Sequence, residues 1–206
     1  MTPDQRDELE RQVRSKVEAD RVDDAATDAL RGYGPEILGF LVNTAADEDL
    51  AVEAFSQFSE DLWRGLPGFR WHASLRTWGY TLARHALHRT AKSKQRHRLV
   101  DPLTSNAIGA LVEEIRTRTL TFLRTESRQE VAALRATLTA DEQMLLTLRV
   151  DRQLQWREIA RITGDFEGEP SDADLKRQVA TLRKRFERTK NRLRTMARAK
   201  DPASAS

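Results

Sequence analysis

The sequence predicts an all-α protein of two small helical domains joined by a partly helical linker. Three observations carry that expectation. Apolar residues recur at spacings of three and four along nearly the whole chain, and alternating β-branched runs are missing. Turn-rich segments break the pattern at "PGF" (residues 67–69), "VDPLTSN" (residues 100–106) and "DFEGEP" (residues 165–170). At 206 residues the chain has room for two cores. A charged fraction of 33% beside a hydrophobic fraction of 39% suits small helical domains with much exposed surface.

The elements follow in order. Residues 1–25 are expected to form a helical extension. "YGPEILGFLVNTAADEDLAVEAFSQFSEDLWRGL" (residues 33–66) reads as two or three helices, the second starting near Asp47, where acids suit the N-terminal dipole. After the "PGF" turn, Ser74 can cap a helix running to about Thr90. The first domain is thus expected over residues 26–99, a linker over 100–128 and the second domain over 129–200. There Thr139, with Asp141 and Glu142 behind it, caps a helix through about Val150. "QWREIARITG" is a short helix ended by Gly164, and Ser171 with Asp174 resembles a capping box opening a long final helix. "DPASAS" (residues 201–206) is expected to be a disordered tail.

Composition excludes several functions. With no cysteine, disulfides, thiol catalysis and cysteine-held zinc are ruled out. The charged opening "MTPDQRDELERQVRSKVEAD" does not read as a signal peptide, and no apolar run approaches membrane-spanning length, so a cytoplasmic location is expected. His85 and His88 are spaced as a metal pair, but no third ligand accompanies them and their surroundings are basic, so no metal is expected. Glycine-rich phosphate loops, serine elbows and paired catalytic acids are missing.

Charge is segregated. The first sixty or so residues are strongly acidic, whereas residues 62–100 contain no acid at all. After Asp174 the final helix contains only Glu187 among its acids. Two basic blocks point to two contacts with a polyanion, and the acidic surface is left for something else. In the helix from Ser74, periodicity puts Leu75, Trp78, Leu82 and Ala86 inward and Ala73, Thr77, Tyr80, Arg84 and His88 outward. An outward face of cations and aromatics suits phosphate contact and base stacking. Trp71, in the loop before it, reads either as a packing plug or as a base platform. In the final helix, Leu175, Val179, Leu182, Phe186, Leu193 and Met196 form an apolar stripe, with Arg177, Thr181, Lys184 and Arg188 opposite. Preceded by a short helix and a turn, this can be the second helix of a helix-turn-helix with its basic face in the major groove.

"YGPEILGFL", "DEDLAVEAFSQFSEDLWRGLPGF" and "FRWHASLRTWGYTLARH" resemble, in order, the second domain of the extracytoplasmic-function (ECF) group of sigma factors, in the sigma-70 family of bacterial RNA polymerase. "LRATLTADEQMLLTLRVDRQLQWREIARITG" and "LRKRFERTKNRLR" resemble the fourth sigma domain. The resemblance covers residues 30–199, and its most specific piece is residues 69–84. It implies an alternative sigma factor that binds core RNA polymerase and directs promoter recognition, DNA opening and transcription initiation, without being an enzyme and without a cofactor. Asp49, Glu53, Phe55, Leu62 and Trp63 sit where the family docks on the polymerase. Arg70, Trp71, His72, Ser74, Arg76, Thr77, Tyr80, Arg84 and His88 fall where it melts and reads the minus-ten element. Arg177, Thr181, Arg183, Lys184 and Arg188 fall where it reads the minus-thirty-five element. Implied partners are core polymerase and promoter DNA, duplex and single-stranded; an anti-sigma protein is left open. This chain departs from the family at Val52, usually Gln, at Trp71-His72, often Gly-Glu, and in an expanded turn before the final helix. The alternative reading is a stand-alone helix-turn-helix repressor, against which the acid-free, tryptophan-rich residues 62–100 argue.

Overall fold

The computed structural model of the chain describes residues 1–94, 106–125 and 137–200, and every regular element among them is helical. No described helix is long and apolar enough to cross a membrane. The chain divides into two units, Met1–Thr125 and Glu126–Ser206. The all-α, two-domain expectation therefore holds. Most of the expected break at residues 100–106, and the tail at 201–206, lie outside the described residues.

The first unit is built around one central helix. α1 (Pro3–Glu18), α3 (Glu48–Gly65), α4 (Leu75–Lys94) and α5 (Asn106–Thr125) all pack on α2 (Val22–Thr44). α2 starts well before Tyr33, the first residue of the expected helical run. Ala25, Ala26, Ala29, Leu30 and Tyr33 already carry the three-and-four spacing inward, and Asp23 and Asp24 suit the N-terminal dipole. The helix continues through Pro35, which has no N–H to offer the Arg31 carbonyl. Burial of Ile37, Leu38, Phe40 and Leu41 just beyond outweighs that local defect.

Two glycines explain how so many neighbours fit. A Cβ at Gly32 would stand 2.2 Å from Leu9 Cδ2, and one at Gly34 would stand 2.9 Å from Ile115 Cδ1. Residues two apart on a helix face nearly opposite sides, so α1 and α5 close on α2 at separate bare positions. Ile108, Leu111, Val112 and Ile115 of α5 are buried. This is why Asn106–Thr125, read from sequence as linker, lies within the first unit.

α3 opens where its acids indicated. The Asp47 side chain accepts from the Leu50 N–H at 2.7 Å. Leu66–Gly68 forms a single 3-10 turn, and Ser74 then caps α4, its Oγ accepting from the Thr77 N–H at 3.1 Å. In the second unit Thr139 and Glu142 form a reciprocal capping box before α6 (Ala140–Leu146), which runs into a π-helical turn, Thr147–Asp151. α7 (Trp156–Thr163) follows, and α8 (Asp172–Lys200) opens on reciprocal bonds between Ser171 and Asp174. The predicted stripe of α8 faces inward, Leu175 and Leu182 most deeply, with Thr189 filling one buried slot.

Candidate nucleic-acid interface

α4 is rotated relative to the expected phase. Leu75 and Ala86 face inward as read, but so do Arg76, Thr77, Tyr80, Ala83 and Leu87, while Trp78 and Leu82 are half-buried. Tyr80 is 0% exposed, meets Phe40 edge-on at 5.1 Å, and donates its hydroxyl to Glu36 Oε1 at 2.7 Å. The same oxygen accepts from Arg76 Nε at 2.7 Å and from its Nη2. A buried guanidinium and phenol are stable where a carboxylate answers them, and Glu36 of α2 does so. Arg76, Thr77 and Tyr80 are thus a scaffold behind the surface, which corrects the expected outward positions of Thr77 and Tyr80. Arg84 stays half-buried and His88 exposed.

The network continues into α1. Glu10 Oε1 accepts from the Tyr33 hydroxyl at 3.2 Å and from the Arg76 backbone N–H at 3.3 Å. Burial pushes the Tyr33 phenol well up, and the Glu10 charge and hydrogen bond push it further.

Ahead of α4 the loop is aromatic. Phe69 stacks on Trp78 at 4.5 Å between ring centres and lies 4.7 Å from Trp71. Trp78 closes on Gly65, where a Cβ would stand 2.9 Å from Trp78 Cζ2. Trp71 itself is half-buried with φ of 59°, a left-handed conformation that a bulky residue keeps only when its surroundings hold it. The ring therefore packs against Phe69 while part of it remains open to solvent. Arg70 and His72 beside it are exposed.

On α3, Asp49 is exposed and Glu53 half-buried one turn on; neither has an ion pair among the described residues. Phe55 and Leu62, expected at the polymerase contact, are 0% and 2% exposed and belong to the core of the first unit. Both lie on the inward stripe with Leu50, Ala54 and Phe58, which removes them from any outer surface. Trp63 is half-buried and donates Nε1 to Asp23 of α2 at 2.7 Å.

On α8, Arg177, Thr181, Arg183, Lys184 and Arg188 are all exposed. Ion pairs divide its cations. Arg177 pairs with Asp174, Arg185 with Asp141, Lys190 with Glu187 and Arg192 with Glu142. Arg183, Lys184 and Arg188 have no ion pair among the described residues. The expanded turn is pinned to α7 by Arg161 with Glu169 and Arg157 with Asp172, the latter holding the Asp172 carboxyl below its usual range. Asp174 is held low by Ser171 and Arg177. Arg177 thus sits in the opening turns of α8, engaged with its own cap, whereas Lys184 and Arg188 further along have no such partner among the described residues.

Trp156 is not among the residues the sequence pattern singles out. Its ring has Arg149 at 5.0 Å, Arg183 at 5.8 Å and Phe186 edge-on at 5.5 Å. The available signal was that Trp156 stands three residues before Ile159, at the end of the inward face of a short helix.

No family model matches the chain, and no solved structure matches it. The RNA polymerase sigma factor YlaC of Bacillus subtilis (strain 168) is 27% identical to it over 146 residues, 68% of this chain and 80% of that protein. That similarity bears out the resemblance carried by the motifs of the two units: this chain is similar to the sigma factors of bacterial RNA polymerase.

Proposed function

We propose that the chain is an alternative sigma factor of the ECF group. It binds core RNA polymerase in the cytoplasm, directs it to promoter DNA and assists strand opening, while the polymerase performs the chemistry. The observation that carries this reading is the loop before α4, where Trp71 is held half-open in a left-handed conformation within an acid-free stretch. Flat rings among cations hold unstacked bases, each worth about 1–3 kcal/mol. A repressor that binds only duplex DNA has no use for such a loop. The unpaired cations of α8 support duplex contact, and Asp49 with Glu53 supports docking on the polymerase.

The strand-handling surface on this reading is Arg70, Trp71, His72, Arg84 and His88, backed by Ser74, Arg76, Thr77 and Tyr80. Arg183, Lys184 and Arg188, with Thr181, meet the minus-thirty-five duplex. The test is retention of core polymerase by the purified chain, followed by transcription from genomic fragments with the reconstituted complex. A sigma factor retains the polymerase and yields discrete start sites. Duplex binding without retention would leave the repressor reading instead.

A further inference from the structure

α1 lies outside every surface so far given to DNA or polymerase, yet it touches the strand-handling region twice. Glu10 and Arg14 are one turn apart and share a face of α1. Glu10 reaches the Arg76 N–H in the first turn of α4, and the Arg14 guanidinium carbon lies 5.7 Å from the centre of the Trp71 ring. The register of α1 is fixed from behind. Val13 is buried, Leu9 fills the space over Gly32, and Lys16 pairs with Asp28 of α2. Arg14 is therefore delivered to the Trp71 ring by a docked helix rather than by a drifting arm.

The chemistry at that position is specific. The Arg14 side chain is 56% exposed, and its Nε donates to Glu18 at 2.9 Å. A guanidinium has five donors, so the Nη side remains to bind an oxyanion while the group stays over an aromatic ring. When a base of an unpaired strand rests on a ring, its flanking phosphates project past the ring edge, within reach of a long cationic side chain beside it. We propose that α1 forms part of the strand-contacting surface, with Arg14 binding a backbone phosphate of the unpaired DNA whose base rests on Trp71. This rests on the strand-handling role proposed above for Trp71.

The two contacts leave different signatures in a salt series. Stacking changes affinity without releasing counterions, whereas each lost phosphate contact on a single strand lowers the slope of log K against log salt by about 0.7. The probe is a fluorescein-labelled single-stranded oligodeoxythymidine, titrated with the full-length chain by anisotropy. Trp71→Ala should weaken binding roughly tenfold or more with its slope unchanged. Arg14→Gln should lower the slope by about 0.7, and Arg14→Lys should restore the slope. Arg11→Gln is the control and should retain the wild-type slope, because Arg11 commits both Nη2 and Nε, to Glu8 and the Asp7 carbonyl, whereas Arg14 commits only Nε to its Glu18 pair and lies over the Trp71 ring. Thermal melting of each variant checks the fold. A wild-type slope for Arg14→Gln beside a weakened Trp71→Ala would overturn the proposal and leave the loop reading standing. Equal slope losses at Arg11 and Arg14 would overturn it too, as a diffuse field rather than a contact. Wild-type affinity in Trp71→Ala, or no binding by the unaltered chain, would overturn both.

Discussion

Glu36 turns α4 over. Its carboxylate takes the Tyr80 hydroxyl and the Arg76 guanidinium, and the face carrying them is drawn inward. Local periodicity offered two faces for "LRTWGYTLARHAL" and favoured the one with Leu75, Trp78 and Leu82 as the more apolar. The residue that reverses the choice lies 44 positions from Tyr80, on α2, where no local pattern reveals it. Tyr80→Phe should cost about 1.5–3 kcal/mol, the usual worth of a hydrogen bond to a charged group, while leaving strand opening intact. Glu36→Ala should cost more, about 3–5 kcal/mol, because it removes the half-buried carboxylate that answers the buried Arg76 guanidinium and the Tyr80 hydroxyl. Denaturant unfolding followed by tryptophan fluorescence measures both. Wild-type midpoints in the two variants would mean that the network contributes nothing to the fold.

α8 shows how far an element can be read from its own residues. The capping boxes at Thr139 and Ser171 and the stripe from Leu175 to Met196 are local signals, and the helices start and face as those signals indicate. Which cations remain free was not legible, because Asp141 and Glu142 reach Arg185 and Arg192 from another helix. That division yields a prediction for duplex DNA. Lys184→Ala and Arg188→Ala should each lower the salt-dependence slope by about 0.9, whereas Arg177→Ala should leave it unchanged. Equal losses at all three positions would remove ion pairing as the sorting principle. The Glu142 end of the same contact is sensitive to pH. Burial pushes its carboxyl up, but the Thr139 N–H and hydroxyl, the Arg192 guanidinium and the Thr189 hydroxyl outweigh that and hold it low. A carboxyl lower in the folded than in the unfolded chain adds stability above its unfolded value, about 4.3. That stability is lost as pH falls through the folded value. Glu142→Gln should therefore melt below the wild type near neutrality, with the gap closing under about pH 4. A gap that stays constant with pH would exclude this proton linkage.

Across the whole molecule, each unit has its own chemistry. The first carries the acid pair of α3 and the Trp71 loop, and the second carries the unpaired cations of α8. The order of motifs made two domains legible, but the extent of the first was not. The bare positions Gly32 and Gly34 seat α1 and α5 on α2, and a glycine in a sequence does not announce which helix will close on it. With the surfaces on separate units, docking and duplex binding should be separable by substitution. Reversing Asp49 and Glu53 together to Lys should abolish retention of core polymerase. Neither residue has an ion pair in the fold among the described residues, so the change removes no internal contact of that kind. Asp49 lies in the first turn of α3, where a lysine opposes the helix dipole by about 0.3–1 kcal/mol, too little to unfold a helix whose inward stripe is intact. Circular dichroism should thus be unchanged, and the duplex salt slope, which the proposal assigns to α8, should match the wild type. Normal co-purification of the double variant with polymerase would remove α3 as the docking element. A matching loss of duplex binding would show that the two surfaces do not act independently.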